Sequence, residues 1–352
     1  MIDWTQSMEQ TYEYYTVNPS TWRDEKPIKT IKNSTISRDS TVDTLGSATI
    51  KLTDLVGESY IRIYLLAFQN GLKTKIPLGT FLIQTPSSTF NGKIRETSVD
   101  AYTPLLELNE NPPPLGYAIL KGENIMNNAK MIIREHARAP VVSAVCSETL
   151  YSDFVANADD KWLSFTRDLI SNANYTLDLD EMGRILFAPK QDTASLQPVW
   201  TYNDDNSSIL HPDISVTHDI YGIPNIVEVI YSKSGSHYYA RAVNDDPNSP
   251  TSTIARGREI IHRVTDPDLP GDPTETQIKE YADKLLRNLS SVEYTASYTH
   301  AYCGTRLGDC VRLNYERAGL KDIKAKIVSQ SIECKPGCPV NEKAVYTVKL
   351  WR

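Results

Sequence analysis

The segment SATIKLTD, residues 47–54, alternates apolar and polar side chains, so that Ala48, Ile50 and Leu52 share one face of an extended chain. Period-two alternation specifies a strand with one buried face, because a helix would scatter the same three side chains around its axis. The texture recurs from Lys26 onward in KTIKNSTISRD, YIRIYLLAF, LGTFLIQT and IRETSVDAY, each short and rich in Ile, Val, Thr and Tyr. Gly57, Asn70-Gly71 and Asn91-Gly92 punctuate these segments, and Asn-Gly tolerates positive φ at both central positions of a tight hairpin. A compact antiparallel barrel or sandwich is therefore expected over 26–108.

Before it, residues 1–25 mix Trp4, Tyr12, Tyr14, Tyr15 and Trp22 with polar residues in no period, which reads as an N-terminal arm packing on something larger. After it, Asn111-Pro112-Pro113-Pro114 has three successive residues without an amide donor and marks a boundary. Ile125, Met126, Ala129, Ile132, Ile133 and His136 then fall at helical spacing. Trp162, Phe165, Leu169 and Ile170 predict a second helix behind the capping candidates Asp159 and Asp160. NYTLDLDEMGRILFAP predicts a hairpin turning at Met182-Gly183, so 109–200 reads as a small α/β domain. From 201 the β texture returns to the end of the chain. One helix near 273–290 interrupts it, with Asp272 as cap, Pro273 at the first helical position, Glu275 at the third, and an apolar stripe from Ile278 to Leu289. The expected fold is mainly β with an α/β insertion: two antiparallel β-barrel domains, 26–108 and 201–352, flanking 109–200.

The two β regions resemble each other. Residues 60–64, 71–73, 80–84 and 97–102 are followed, about 250 residues later, by a second series at 310–314, 319–321, 325–329 and 346–351, with Gly-Leu-Lys at the turn in both. This predicts one duplicated unit around an inserted domain.

Composition narrows the function. A chain of 352 residues exceeds what one core usually supports. Net charge is −7, which argues against a surface that grips nucleic acid through its phosphates. Apolar runs fall far short of the ~20 residues that span a bilayer, and MIDWTQSMEQTYEYY lacks the basic start and apolar block of a secretory signal. The expectation is a soluble chain assembled in the cytoplasm, with its five cysteines as free thiols.

Three groups invite chemistry. His262 lies between Glu259 and the pair Asp266/Asp268, residue types that hold metals or move protons, but no H-x-x-E or H-E-x-x-H partner accompanies them. Asp178 to Gly183 begins like a calcium loop, yet Met182 and Pro189 stand where ligands belong, so a hairpin is expected. Cys334 and Cys338 in CKPGC, with Cys303 and Cys310 upstream, offer four thiolates at irregular spacing, better read as small half-buried side chains. No nucleophile elbow, phosphate-cradling loop or Cys/His pairing is recognisable, and no two carboxylates are singled out for glycan cleavage. The expectation is a chain with no catalytic, cofactor-binding or metal site and no enzymatic activity.

The stretches DSTVDTLGSATIKLTD (39–54) and ESYIRIYLLAFQNGLKTKIPLGTFLIQTPSSTFNGKIRETSVDAYTPLLEL (58–108) resemble the first barrel of the baseplate hub proteins of long-tailed phages. GDCVRLNYERAGLKDIKAKIVSQSIE near the C-terminus resembles the second barrel of that family. The resemblance implies two tail-tube-like barrels per subunit and a structural role in a virion or phage-derived contractile injection particle. It implies a homotrimer whose six barrels form a ring between tail tube and spike. The implied partners are a tail tube or distal tail protein, a central spike protein and a tape measure protein, with DNA passing the channel without specific binding and no membrane insertion by this chain. The rivals are a tail-associated cell-wall hydrolase or peptidase, which would need a site around His262, and a carbohydrate-binding tail module using the N-terminal tyrosines.

Overall fold

The computed structural model describes all residues except Met1, 54–56, Asn91, Lys93, Ile94, Ser207, Ser234, Ser236, 270–272 and Arg352, and only the backbone of Thr85, Pro86, Arg95 and Glu96. The Asn91 half of one expected turn and the Asp272 cap therefore lie outside the described residues.

The first β region comprises β1 (Glu9–Val17), β2 (Asp24–Pro27), β3 (Ile31–Asp39), β4 (Gly46–Leu52), β5 (Tyr60–Gln69), β6 (Leu72–Phe90) and β7 (Arg95–Tyr102). β5 is buried along its length except at Phe68, as its near-continuous apolar sequence requires of a strand covered on both faces. Asn70 (φ 51°) and Gly71 (φ 77°) both adopt left-handed backbone in the two-residue turn to β6, the conformation for which Asn-Gly is suited. The N-terminal segment differs from expectation: it is no separate arm, because β1 pairs with β5 from Glu9 opposite Phe68 to Val17 opposite Tyr60. Its tyrosines and glutamates blur the alternation that aliphatic residues make obvious, and the pairing is set by β5.

The middle of the chain supplies α1 (Leu106–Glu110), β8 (Ala118–Ile119), α2 (Ile125–His136), β9 (Phe154–Val155), α3 (Trp162–Ser171), and the hairpin β10 (Tyr175–Leu179) and β11 (Ile185–Pro189). Asn124 caps α2, its side chain accepting from the amide of Asn127 at 2.9 Å. Before α3 the Asp160 carboxylate accepts from Ser164 Oγ, and Ser164 Oγ in turn accepts the Lys161 amide. The buried faces of α2 and α3 share one core with Val17, Trp22, Tyr60 and Leu82 of the first β region. Residues 109–200 are thus not a free-standing domain.

The remaining elements are β12 (Trp200–Asn203), β13 (Leu210–His218), β14 (Ile226–Tyr231), β15 (Tyr238–Val243), α4 (Thr253–Arg256), β16 (Ile261–Thr265), α5 (Glu275–Leu289), β17 (Ser291–Ala301), β18 (Cys310–Tyr315), β19 (Leu320–Glu333) and β20 (Pro339–Lys349). By contacts the chain forms two compact units: Met1–Ile214 with Ser297–Ala344, and Ser215–Ala296 with Val345–Arg352. The expected boundaries, a barrel domain over all of 201–352, do not describe this division. The second unit has its own core, in which Ile278, Ala282 and Leu286 of α5 pack on Val227, Val229, Tyr231, Ala240 and Ala242 of the sheet β15-β14-β16. α5 begins two residues later than the sequence predicts: Thr274 is its cap, in a capping box with Gln277.

The architecture is mainly β, with one sheet ordered β13-β17-β20-β19-β3-β4-β7-β6-β5-β1-β2, while β18 pairs with β19 and, in parallel, with β12. A strand order repeats within it. β3-β4-β7-β6-β5 and β13-β17-β20-β19-β18 each place the first two strands of a series beside the fifth, then the fourth and third. The segments 60–64, 80–84 and 97–102 lie on β5, β6 and β7, and their counterparts from 310, 325 and 346 lie on β18, β19 and β20, in the same places of the order. Beyond its pairing with β18, β19 also pairs with β3 and so joins the two series, from Ser329 opposite Asp39 to Glu333 opposite Thr35. The core crosses this seam, since Ile36, Ile50 and Val99 pack in one cluster with Ile332, Cys334, Cys338 and Val340. Among the described residues no helix is long and apolar enough to cross a membrane.

Candidate functional site

The structure does not assemble the residues around His262. His262 is exposed on β16, Glu259 is engaged by Arg241 at 2.8 Å, and the Asp266 carboxylate accepts from the Ser232 amide at 2.6 Å. The cysteines are also dispersed. Cys310 is buried in β18, and Cys303 lies against Tyr202 and His300. Cys334 and Cys338 sit in the core beside Tyr14 and Tyr12, where burial pushes their thiols up to about 12 and about 11. The left-handed backbone of Cys338 (φ 40°), after the Pro336-Gly337 turn, turns its side chain into that core. All five cysteines carry free thiols, and no group of three or more His, Cys, Asp or Glu side chains among the described residues is placed to hold a metal ion.

The Asp178–Gly183 segment is a hairpin, and its tip is held by side chains from distant parts of the first unit. Asp180 and Gly183 close the turn through a backbone hydrogen bond of 2.9 Å. The Met182 carbonyl accepts from Trp22 Nε1 at 2.7 Å and from an Arg62 guanidinium nitrogen at 3.0 Å, and the Glu181 carbonyl accepts from Thr80 Oγ1 at 3.3 Å. The Glu181 carboxylate meets Arg306, in the connection between β17 and β18, at 2.8 Å and Arg38 of β3 at 3.6 Å. Gly183 is needed here: its φ is +75°, and a Cβ would stand 2.7 Å from Thr80 Cβ and 3.1 Å from the Trp22 ring. The carboxylates lining the adjoining cleft are already bound, Asp178 and Glu181 by Arg306 and Asp180 by Arg184, so the cleft offers no free charge to a ligand. Burial nevertheless pushes the Asp178 carboxyl up against the pull of Arg306. Arg62, 1% exposed near the start of β5, is compensated by Asp24 at 2.7 Å and Thr80 Oγ1 at 2.9 Å.

Sequence reasoning missed a second network. Glu342 on β20 accepts from Tyr298 of β17 at 2.6 Å, Gln330 of β19 at 2.6 Å, Thr305 between β17 and β18 at 3.2 Å, and Tyr202 of β12 at 3.4 Å. Its partner is His300, 3.3 Å away, and both side chains are 0% exposed. His300 Nδ1 donates to the Ala301 carbonyl at 2.8 Å while Nε2 faces Glu342 and the Tyr202 hydroxyl, so both ring nitrogens are placed as donors, as in an imidazolium. Burial opposes that charge, but the contacts with Cys303 and Glu342 outweigh it and raise the histidine from 6.5 to about 10. Burial also opposes the Glu342 charge, and His300 holds the carboxyl below its ordinary value. Cys303 Sγ, 3.9 Å from Nδ1, completes what looks on paper like a Cys-His-Glu set. The imidazole has no free basic nitrogen to take the thiol proton, and the group is sealed from solvent, so as folded it ties β17, β19 and β20 together through Glu342. The signal available in the sequence was the alternation Tyr298, His300, Tyr302 on one face of a strand, but nothing linked it to Glu342, 42 residues on.

No protein-family model matches the chain, and no curated protein is similar to it in sequence. Solved structures do match. A tail protein from Neisseria meningitidis MC58 superposes with a TM-score of 0.62 over 96% of each chain at 13% identity. The 43 kDa tail protein of prophage MuSo2 from Shewanella oneidensis does so with a TM-score of 0.61, over 96% of this chain and 98% of that one, at 10% identity. A type VI secretion component of E. coli, described as structurally similar to the T4 bacteriophage tail proteins gp27 and gp5, matches over 92% of this chain and 76% of its own at 8% identity, with a TM-score of 0.50. At these identities the likeness is one of fold, and it runs almost end to end: this chain has the fold of phage tail proteins.

Proposed function

We propose that this chain is a structural subunit of a phage tail or of a phage-derived contractile injection particle, a baseplate hub that adapts the tail tube to a central spike. The observation that carries the reading is the repeated strand order joined at β19 and β3, since three copies of a chain with two such series present six similar β units around one axis. That arrangement matches a sixfold tube on one side and a threefold spike on the other. The proposed partners are two further copies of this chain, a tail tube or distal tail protein, the spike and a tape measure protein, with DNA passing through the ring. The fold likeness to tail proteins supports the location. The His262 group, left unassembled, gives the hydrolase alternative no support. Analytical ultracentrifugation of the purified chain, alone and mixed with the tail tube protein of its own particle, tests this. A three-copy species that binds the tube is expected; a monomer that ignores the tube under all conditions contradicts it.

A further inference from the structure

One inner row of the β19–β3 seam is polar. Ile332 opposes Ile36 in the core, but in the next row on the same face Gln330 opposes Arg38. Gln330 is 1% exposed, and a buried amide costs free energy unless both of its ends find partners. Both do. Arg38 donates to Gln330 Oε1 at 3.1 Å, while Gln330 Nε2 donates to Glu342 at 2.6 Å and to the Thr305 carbonyl at 3.1 Å. Chemistry fixes this orientation, because a guanidinium can only donate and a carboxylate or a carbonyl can only accept. A flipped amide would lose all three bonds.

The amide bridges the two networks described above. His300 lies 3.3 Å from Glu342, Gln330 spans from Glu342 to Arg38, Arg38 lies 3.6 Å from Glu181, and Glu181 meets Arg306 at 2.8 Å, so charge alternates in sign from β17 to the 180–183 tip. We propose that Gln330 couples the tip to the His300–Glu342 pair across the seam, so that the two gain and lose stability together and the two strand series respond as one conformational unit. A pair of aliphatic side chains would pack the same row without burying polar groups. What the polar row adds is a fixed geometry between the charges on either side, in surroundings where each hydrogen bond polarises the next. A second route between the networks runs along the backbone, because Thr305, which donates to Glu342, directly precedes Arg306. The coupling belongs to the single chain, whatever its assembly.

The test is a double-variant cycle in the full chain. Glu181→Gln, Glu342→Gln and their combination are made in the parent and again with Gln330→Met, which keeps the side-chain length and removes both polar ends. Urea unfolding is followed at pH 6 and one protein concentration. In the parent the unfolding constant of the combined variant should differ from the product of the single changes by about fivefold or more. With Gln330→Met the changes should multiply to within about twofold. The Trp22 indole N–H, which donates to the Met182 carbonyl at the tip, gives a second readout. Its NMR resonance, identified by its loss in Trp22→Phe, should move in Glu342→Gln, and Glu342→Gln should not move it once Gln330→Met is present. Simple products in the parent overturn the proposal, as does a departure from them that survives Gln330→Met and so runs through the Thr305–Arg306 backbone. If Gln330→Met does not fold, an indole resonance unmoved by Glu342→Gln overturns the proposal and a moved one supports it.

Discussion

Replacing Glu342 by alanine leaves the His300 imidazolium buried without a counter-charge and takes the acceptor from the hydroxyls of Tyr298 and Thr305, while the Gln330 amide keeps the Thr305 carbonyl at 3.1 Å. Breaking a buried ion pair from one side costs about 3–5 kcal/mol. The direction agrees with the histidine, which burial pushes down while its contacts with Cys303 and Glu342 hold it up at about 10. The pH dependence follows from the two directions. The raised histidine contributes fully below its unfolded value of 6.5 and loses that contribution as pH rises toward about 10. The lowered Glu342 contributes fully above its unfolded value of 4.5 and loses it as pH falls through the lower folded value. The pair therefore supports the fold most between about pH 4.5 and 6.5. Urea denaturation of Glu342→Ala and of the Glu342→Gln, His300→Gln double variant, read at pH 6 and pH 9, measures this. The single variant should lose about 3–5 kcal/mol at pH 6 and less at pH 9, and the double variant should lose less than the single one. A loss below about 1 kcal/mol at pH 6, or equal losses at both pH values, would refute the ionised pair.

Three further outcomes follow from the geometry. Gly183→Ala combines left-handed backbone with a Cβ 2.7 Å from Thr80, so it should destabilise the chain by about 2 kcal/mol or more and change the fluorescence of Trp22; unchanged stability and emission would contradict the packing of the tip. With a thiol reagent at pH 8, half-exposed Cys146 should be modified first, while Cys334 and Cys338, buried and raised to about 12 and about 11, should react only on unfolding; peptide mapping decides this. His262→Ala, at an exposed position on β16, should change stability by less than about 0.5 kcal/mol and leave assembly intact. Cell-wall or casein cleavage lost in that variant would overturn the structural reading.

What was legible in the sequence was what repeats locally. Ala48, Ile50 and Leu52 alternate and form the buried face of β4, Asn70-Gly71 makes the turn it is built to make, and Ile278, Ala282 and Leu286 mark the buried stripe of α5. What was not legible is set by partners far away in the chain. β1 is a strand because β5 offers it a hydrogen-bonding edge, and its own tyrosines announce no period. The 180–183 tip looked like a failed calcium loop, and only the folded chain brings Trp22, Arg62 and Arg306 to it. His300 and Glu342 are ordinary surface residue types whose burial depends on two strands lying together.

The central claim is that two like-ordered strand series per chain build a ring from three copies. A cryo-EM map of the assembled tail end tests it most directly. The account predicts three copies of this chain around one axis, six strand series related by a pseudo-sixfold rotation, and an open bore at their centre. A density that places a single copy, or that leaves the six strand series without a pseudo-sixfold relation, would contradict it.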